Sequence, residues 1–138
     1  YLVTNIVGAT LEHFIGLKRV AAQCHATAKA KGWWDKYKNG LDADQTCAKI
    51  ALIHSELSEG LEEVRVGSPH LYFKHTEETV ASGPSGDPQP EGRGRGRAAA
   101  AIRLTDLAEL RGIATAEMPR IKMQYNETRS HRHGGKAL

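Results

Sequence analysis

The chain has 138 residues, 40% of them hydrophobic and 25% charged, with a formal net charge of +3. That balance fits one globular domain with a modest core and excludes a disordered composition. No apolar run approaches the ~20 residues of a membrane span, and so mild a basic excess does not by itself argue for a nucleic-acid partner.

The opening "YLVTNIVGATLEHF" lacks a basic start and a small-residue cleavage site, so no secretory leader is expected. Residues 10–31 read as a first helix. Thr10 is the expected N-cap, with Glu12 in the first turn. Leu11, Phe14, Ile15, Leu17, Val20, Ala21, Cys24 and Ala28 recur at helical spacing, and Gly32 ends the run. After the turn-rich "WWDKYKNG", a second helix is expected from Asp42 or Asp44 to Val66. Its apolar stripe is Cys47, Ile50, Ala51, Leu57, Leu61 and Val64. Cys24 and Cys47 have no neighbours at metal-ligand spacing and are expected as buried, reduced thiols of a cytoplasmic protein.

Residues 67–97 show no periodicity and are dense in Gly and Pro, so they read as a long loop. "AAAAIRLTDLAELRG" restores helix propensity, with Gly112 as its stop. A last helix starts between Thr115 and Pro119, since proline is tolerated in a first turn. It runs through "RIKMQYNETR", and residues 130–138 form a basic tail. No strand is expected. The fold class is all-α: one domain, 1–138, built as a bundle of four to five helices.

Two clusters carry chemistry. In "IHSELSEGLEEVR" (53–65), Glu56, Glu59 and Glu63 share one helical face, adjacent to Leu57, Leu61 and Val64. Like charges so spaced cost roughly 0.2–0.5 kcal/mol per pair. A solvated face is the ordinary reading of such a run. A divalent cation is the chemical one, because Mg²⁺ takes carboxylate oxygens and shares itself with substrate phosphates. Near the other end, Lys122, Asn126 and Arg129 share a face, with Arg132, His133 and Lys136 beyond. A point charge, a guanidinium fork and a neutral donor together suit an oligophosphate.

"HATAKAKGWWD", "KIALIHSELSEGLEEVR", "PEG", "IRLTDLAELRGI" and "RIKMQYNETRSHRHGGKAL" resemble the all-α nucleoside triphosphate pyrophosphohydrolases, the MazG-like group. The resemblance spans roughly Thr10 to the end, apart from the Gly/Pro-rich stretch. It implies a Mg²⁺-dependent (Mn²⁺ as an alternative) helical bundle, homodimeric or homotetrameric, with sites built partly across subunits. The implied reaction cleaves a nucleoside or deoxynucleoside triphosphate to the monophosphate and pyrophosphate. Glu56 and Glu59 match the family's E-x-x-E as catalytic and metal residues, and Glu63 stands where a further metal ligand could serve. Lys122, Tyr125 and Asn126 match the nucleotide-binding segment. Arg129 extends that basic face, and Trp34 becomes a candidate wall for the base.

One departure bears on activity. The family's second acidic pair, E-x-x-D, would fall around residues 96–99, and this chain has Gly96 and Ala99 inside "GRGRGRAAAA". Three readings follow. Other carboxylates substitute, among them Asp106 with Glu109, Glu63, Glu77, Glu78 or Glu91. Alternatively, the chain is an impaired homologue that binds nucleotide with Arg93, Arg95 or Arg97 near the phosphates. The third is a local change of reading frame over residues 93–101.

Two other classes compete. "GRGRGR" and "RSHRHGGK" suggest nucleic-acid binding, which the absence of interleaved aromatics disfavours. Trp33 and Trp34 suggest an anchor for a partner helix, although one buried and one exposed tryptophan is the plainer reading. His25 and His54 read as helix-face residues, and His131 and His133 sit in a tail poorly suited to hold a metal.

Overall fold

The computed structural model describes residues 11–74, 88–112 and 115–130. Helices dominate them: α1 (Leu11–Ala30), α2 (Ala43–Arg65), α3 (Arg95–Leu110) and α4 (Glu117–Glu127). Among the described residues no helix is long and apolar enough to cross a membrane. The chain divides into two compact units, Tyr1–Gly40 with Thr105–Leu138, and Leu41–Leu104.

In the first unit, Phe14, Ala21 and Ala28 recur every two turns on α1 and are buried. Gly32, at φ 74°, closes the helix. Its N–H reaches the carbonyl of Lys29 at 3.0 Å, while Trp33 N–H reaches that of Ala28 at 3.1 Å. This paired closure needs a left-handed residue that only glycine adopts freely. Trp34 and Leu107 complete the buried apolar set among the described residues of the unit, and Trp33 is half exposed. On α4, Pro119 sits in the first turn, where its missing N–H costs nothing. The expected cap Thr10 and the tail residues Arg132, His133 and Lys136 lie outside the described residues.

The second unit opens with a reciprocal cap on α2. Gln45 N–H donates to Asp42 Oδ1 at 2.7 Å, and Asp42 N–H donates to Gln45 Oε1 at 3.0 Å. Gly67, at φ 75°, repeats the closure seen on α1, with Ser68 N–H on the carbonyl of Glu63 at 3.0 Å.

Within the segment expected as a loop, the described residues include two short strands. Tyr72–Lys74 (β1) and Gln89–Glu91 (β2) pair antiparallel, with Tyr72 opposite Glu91 and Lys74 opposite Gln89. This corrects the expectation of no strands. Three-residue strands are too short to show a period of two, and Pro90 reads as a breaker although it is tolerated in a two-stranded ribbon that has only edges.

Helix α3 begins at Arg95, before the alanine run. Its entry is tied down by Arg93 N–H on the carbonyl of Pro69 (3.2 Å) and Gly94 N–H on that of His70 (3.0 Å). Gly96 then passes against α2 so closely that a Cβ there would strike the carbonyl oxygen of Glu56. The same Cβ would lie 2.7 Å from Gly60 N and 2.8 Å from Gly60 Cα. The missing Cβ of Gly96 permits this crossing, whereas a Cβ on Gly60 would make ordinary contact, 3.5 Å from Gly96 Cα.

The apolar stripe of α2 is not a core in the structure. Cys47, Ile50, Ala51, Leu57, Leu61 and Val64 are all exposed. Cys47 is therefore not the buried thiol expected, and Cys24 is only partly covered. The buried apolar side chains of this unit are Leu41 and Ala100 among the described residues.

Candidate functional site

Glu56, Glu59 and Glu63 stand on one face of α2, as their spacing requires, and α3 brings arginines to two of them. Arg103 donates through Nε and Nη2 to Glu56 Oε1, both at 2.8 Å. Arg95 donates through Nη1 to Glu59 Oε2 at 2.7 Å, and its Nε lies 3.7 Å from Glu91 Oε2. The hydrogen bond to Glu59 is the main reason that the Arg95 guanidinium holds its proton more firmly than usual. Burial opposes this in part, and the charges of Glu91, Glu59 and Glu56 add to it.

A cleft of about 190 Å³ opens beside this pair, lined by Glu59, Glu62, Glu63, Glu91 and Arg95 with glycines between them. Its walls come from α2, from β2 and from the first turn of α3. Glu56 is 6% exposed, yet its Oε2 has no hydrogen-bond partner among the described residues. The same holds for Glu63 Oε2. An anionic oxygen buried without a donor is costly, and an ordered water or a cation is what relieves it. Each oxygen is by itself a position that a cation would relieve, and the two lie two turns apart on α2, about 10 Å along its axis. No three His, Cys, Asp or Glu side chains among the described residues gather closely enough to cage an ion by themselves. Mg²⁺ asks for less, since one or two carboxylates suffice when phosphates and waters complete its shell.

The departure at residues 96–99 has a structural counterpart. An acid at 96 is barred by the α2–α3 crossing, because any side chain there meets α2 backbone. The carboxylates considered as substitutes are distributed unevenly. Glu63 and Glu91 line the cleft. Asp106 and Glu109 belong to the other unit and are engaged there, Glu109 accepting from Thr115 at 3.0 Å. Glu77 and Glu78 lie outside the described residues.

The basic face of α4 lies in the first unit. Lys122 Nζ sits 4.8 Å from the Tyr125 ring centre and the Arg129 guanidinium 5.8 Å from it. Both cations thus share one exposed aromatic ring, and Asn126 is exposed beside them. Of the nucleic-acid signals, Arg95 is engaged with glutamates and Arg97 with the Arg93 carbonyl at 3.1 Å, within a helix rather than in an open Gly/Arg strand.

Sequence reasoning missed a polar cluster in the first unit. Buried Asp106 takes the Trp34 indole N–H at 3.0 Å, and the same Oδ1 lies 2.7 Å from His25 Nδ1. The His25 and Trp34 rings stand 6.0 Å apart. Trp34, the candidate base wall, is 8% exposed and spends its one polar group on Asp106. A mid-helix aspartate amid "IRLTDL" is the one clue the sequence offered, since a carboxylate on an otherwise apolar face needs partners.

No protein-family model, curated protein or solved structure matches this chain.

Proposed function

We propose that the chain is a Mg²⁺-dependent nucleoside triphosphate pyrophosphohydrolase, converting a nucleoside or deoxynucleoside triphosphate to the monophosphate and pyrophosphate. The observation that carries this reading is the pair of buried carboxylate oxygens without donors, Glu56 Oε2 and Glu63 Oε2, on the acidic face of α2. The resemblance of the sequence to the MazG-like group supplies the substrate class. Glu56 and Glu59 act as the catalytic carboxylates, and Glu56, Glu59 and Glu63 hold Mg²⁺, with Mn²⁺ as a substitute. When bound, such an ion polarises phosphate oxygens and lowers the pKa of a coordinated water.

The residues around the acids have defined tasks in this reading. Arg103 fixes Glu56 through Oε1 and leaves Oε2 for the cation. Glu59 must exchange Arg95 for the cation, and the released guanidinium is then available to phosphate oxygens. On the resemblance alone, Lys122, Tyr125, Asn126, Arg129 and Trp34 are proposed as nucleotide contacts, and the working form is a homodimer or homotetramer. Neither a membrane nor a nucleic acid is part of this reading.

A second reading has its own observation. Arg95 stands beside Glu59 in the helix where the family carries acids, so a positive group occupies part of the carboxylate face. That arrangement favours a homologue that binds nucleotide and turns it over slowly or not at all.

The test is an assay of pyrophosphate against orthophosphate release from a panel of triphosphates with Mg²⁺, using the parent protein and Glu56→Gln. Pyrophosphate released by the parent and lost in Glu56→Gln is the result expected. A nucleotide-dependent rise in melting temperature without pyrophosphate selects the second reading, and silence in both measurements removes both.

A further inference from the structure

On α2, Cys47, Ile50, His54, Leu57, Leu61 and Val64 are all exposed, Ile50 at 44%, Leu57 at 47%, Leu61 at 60% and Val64 at 51%. They follow one another at intervals of 3, 4, 3, 4 and 3 residues. That alternation is the seam of a coiled coil, in which positions a and d of each heptad face a partner helix. The unit that carries α2 buries only Leu41 and Ala100 as apolar side chains among its described residues, so its own interior does not take up the stripe. Counted at 100° per residue, Glu56, Glu59 and Glu63 lie roughly 130–170° round the helix from the centre of this seam, on its far side rather than on an adjacent face.

We propose that this seam pairs with α2 of a second copy of the chain, antiparallel, about a two-fold axis between His54 and Leu57. The pairing deepens the oligomer proposed above by naming its surface. It stands without the hydrolase reading, because nothing in it involves nucleotide.

The register follows from the sequence. In an antiparallel pair each a position meets a d position. Cys47 then faces the second copy's Val64, Ile50 its Leu61, and His54 its Leu57. The flanking positions on one side of the seam are Asp44, Ala51, Ser58 and Arg65. Antiparallel pairing sets Asp44 beside the second copy's Arg65, and by symmetry Arg65 beside its Asp44, with the small Ala51 and Ser58 between. Opposite charges thus close both ends of a self-complementary patch, as a two-fold interface requires. A parallel pair would stack His54 on its own copy and set Arg65 beside Gly60. Asp44 is exposed, and the contact of Arg65 with Glu62, 3.3 Å long and largely exposed, is weak enough to be exchanged. Because the acidic face points away from the seam, pairing leaves the cleft open.

The test is the mass in solution by sedimentation equilibrium, with helix content followed by circular dichroism. The wild-type chain is expected at twice its 15.1 kDa, and Leu61→Glu at the single-chain mass with helix content kept. Asp44→Arg and Arg65→Asp should each weaken the dimer several-fold, and the two together should restore it. That rescue is specific to the antiparallel register. A wild-type chain that stays single at every concentration overturns the proposal, and the stripe is then covered by another part of the chain or by a different protein. A dimer indifferent to Leu61→Glu overturns it by placing the interface elsewhere, and failure of the charge exchange to rescue overturns the antiparallel register.

Discussion

Arg95 bridges two glutamates from different elements, holding Glu59 of α2 at 2.7 Å and approaching Glu91 of β2 at 3.7 Å. A cation that takes Glu59 must displace that guanidinium. Arg95→Ala should therefore bind Mn²⁺ more tightly in the absence of nucleotide. The pair is partly exposed, with Glu59 54% and Arg95 33% open at the side chain. Its worth is thus held to about 1 kcal/mol or less, or roughly fivefold in affinity. Electron paramagnetic resonance of free Mn²⁺ reads the difference, and equal affinities would show that Arg95 does not compete.

Gly96 lets α3 lie against the α2 backbone at Gly60. Gly96→Ala should cost about 1–3 kcal/mol or more, since its Cβ meets main-chain atoms that cannot swing aside. Gly16→Ala is the contrasting case. Its Cβ meets nothing within 4 Å in the interior of α1, so alanine should stabilise by roughly 0.5–1 kcal/mol. Urea unfolding of the two variants beside the parent gives both signs in one experiment.

Asp106 serves two partners with one oxygen, the Trp34 indole and His25 Nδ1. Hydrogen bonds to a charged group contribute about 1.5–3 kcal/mol, so Asp106→Ala should lower stability by at least that much. Asp106→Asn, which keeps an acceptor, should lose less. Tryptophan fluorescence during unfolding follows both, and an Asp106→Ala as stable as the parent would mean that the cluster contributes little to the fold.

On α4, the hydrogen bond from Arg120 at 2.5 Å holds the Glu117 carboxyl below its ordinary range. A depressed carboxylate contributes stability that is present above the unfolded value and is lost as pH falls through the folded value. Acidification below the ordinary glutamate range should therefore loosen the first turn of α4. Arg120→Gln should move the Glu117 midpoint, measured by nuclear magnetic resonance, back upward. An unchanged midpoint would contradict the pairing.

The helices were legible because their signals are local. The Phe14–Ala21–Ala28 stripe, Asp42 at the start of α2, and the glycines at 32, 67 and 112 mark faces and ends within a few residues. The clustering of Glu56, Glu59 and Glu63 was legible for the same reason. What joins residues far apart in the chain was not. His25 meets Asp106 across 81 positions, Arg103 meets Glu56 across 47 and Arg95 meets Glu59 across 36. No periodicity encodes such pairs. Helix α3 starts at Arg95 although propensity alone reads Gly96 as a weak helix position, and Gly96 lies against Gly60 of α2. The α2 stripe was recognised as apolar, but its exposure is a tertiary fact that an amphipathic pattern does not contain.

The most direct measurement is a Mn²⁺ titration, with a non-hydrolysable deoxynucleoside triphosphate present, of the parent, Glu56→Gln and Glu63→Gln. If the unpartnered oxygens of Glu56 and Glu63 hold the cation, each variant should weaken Mn²⁺ binding by about tenfold or more, roughly 1.4 kcal/mol, while helix content stays unchanged. Affinities equal to that of the parent in both variants would contradict the cation site and the hydrolase built upon it.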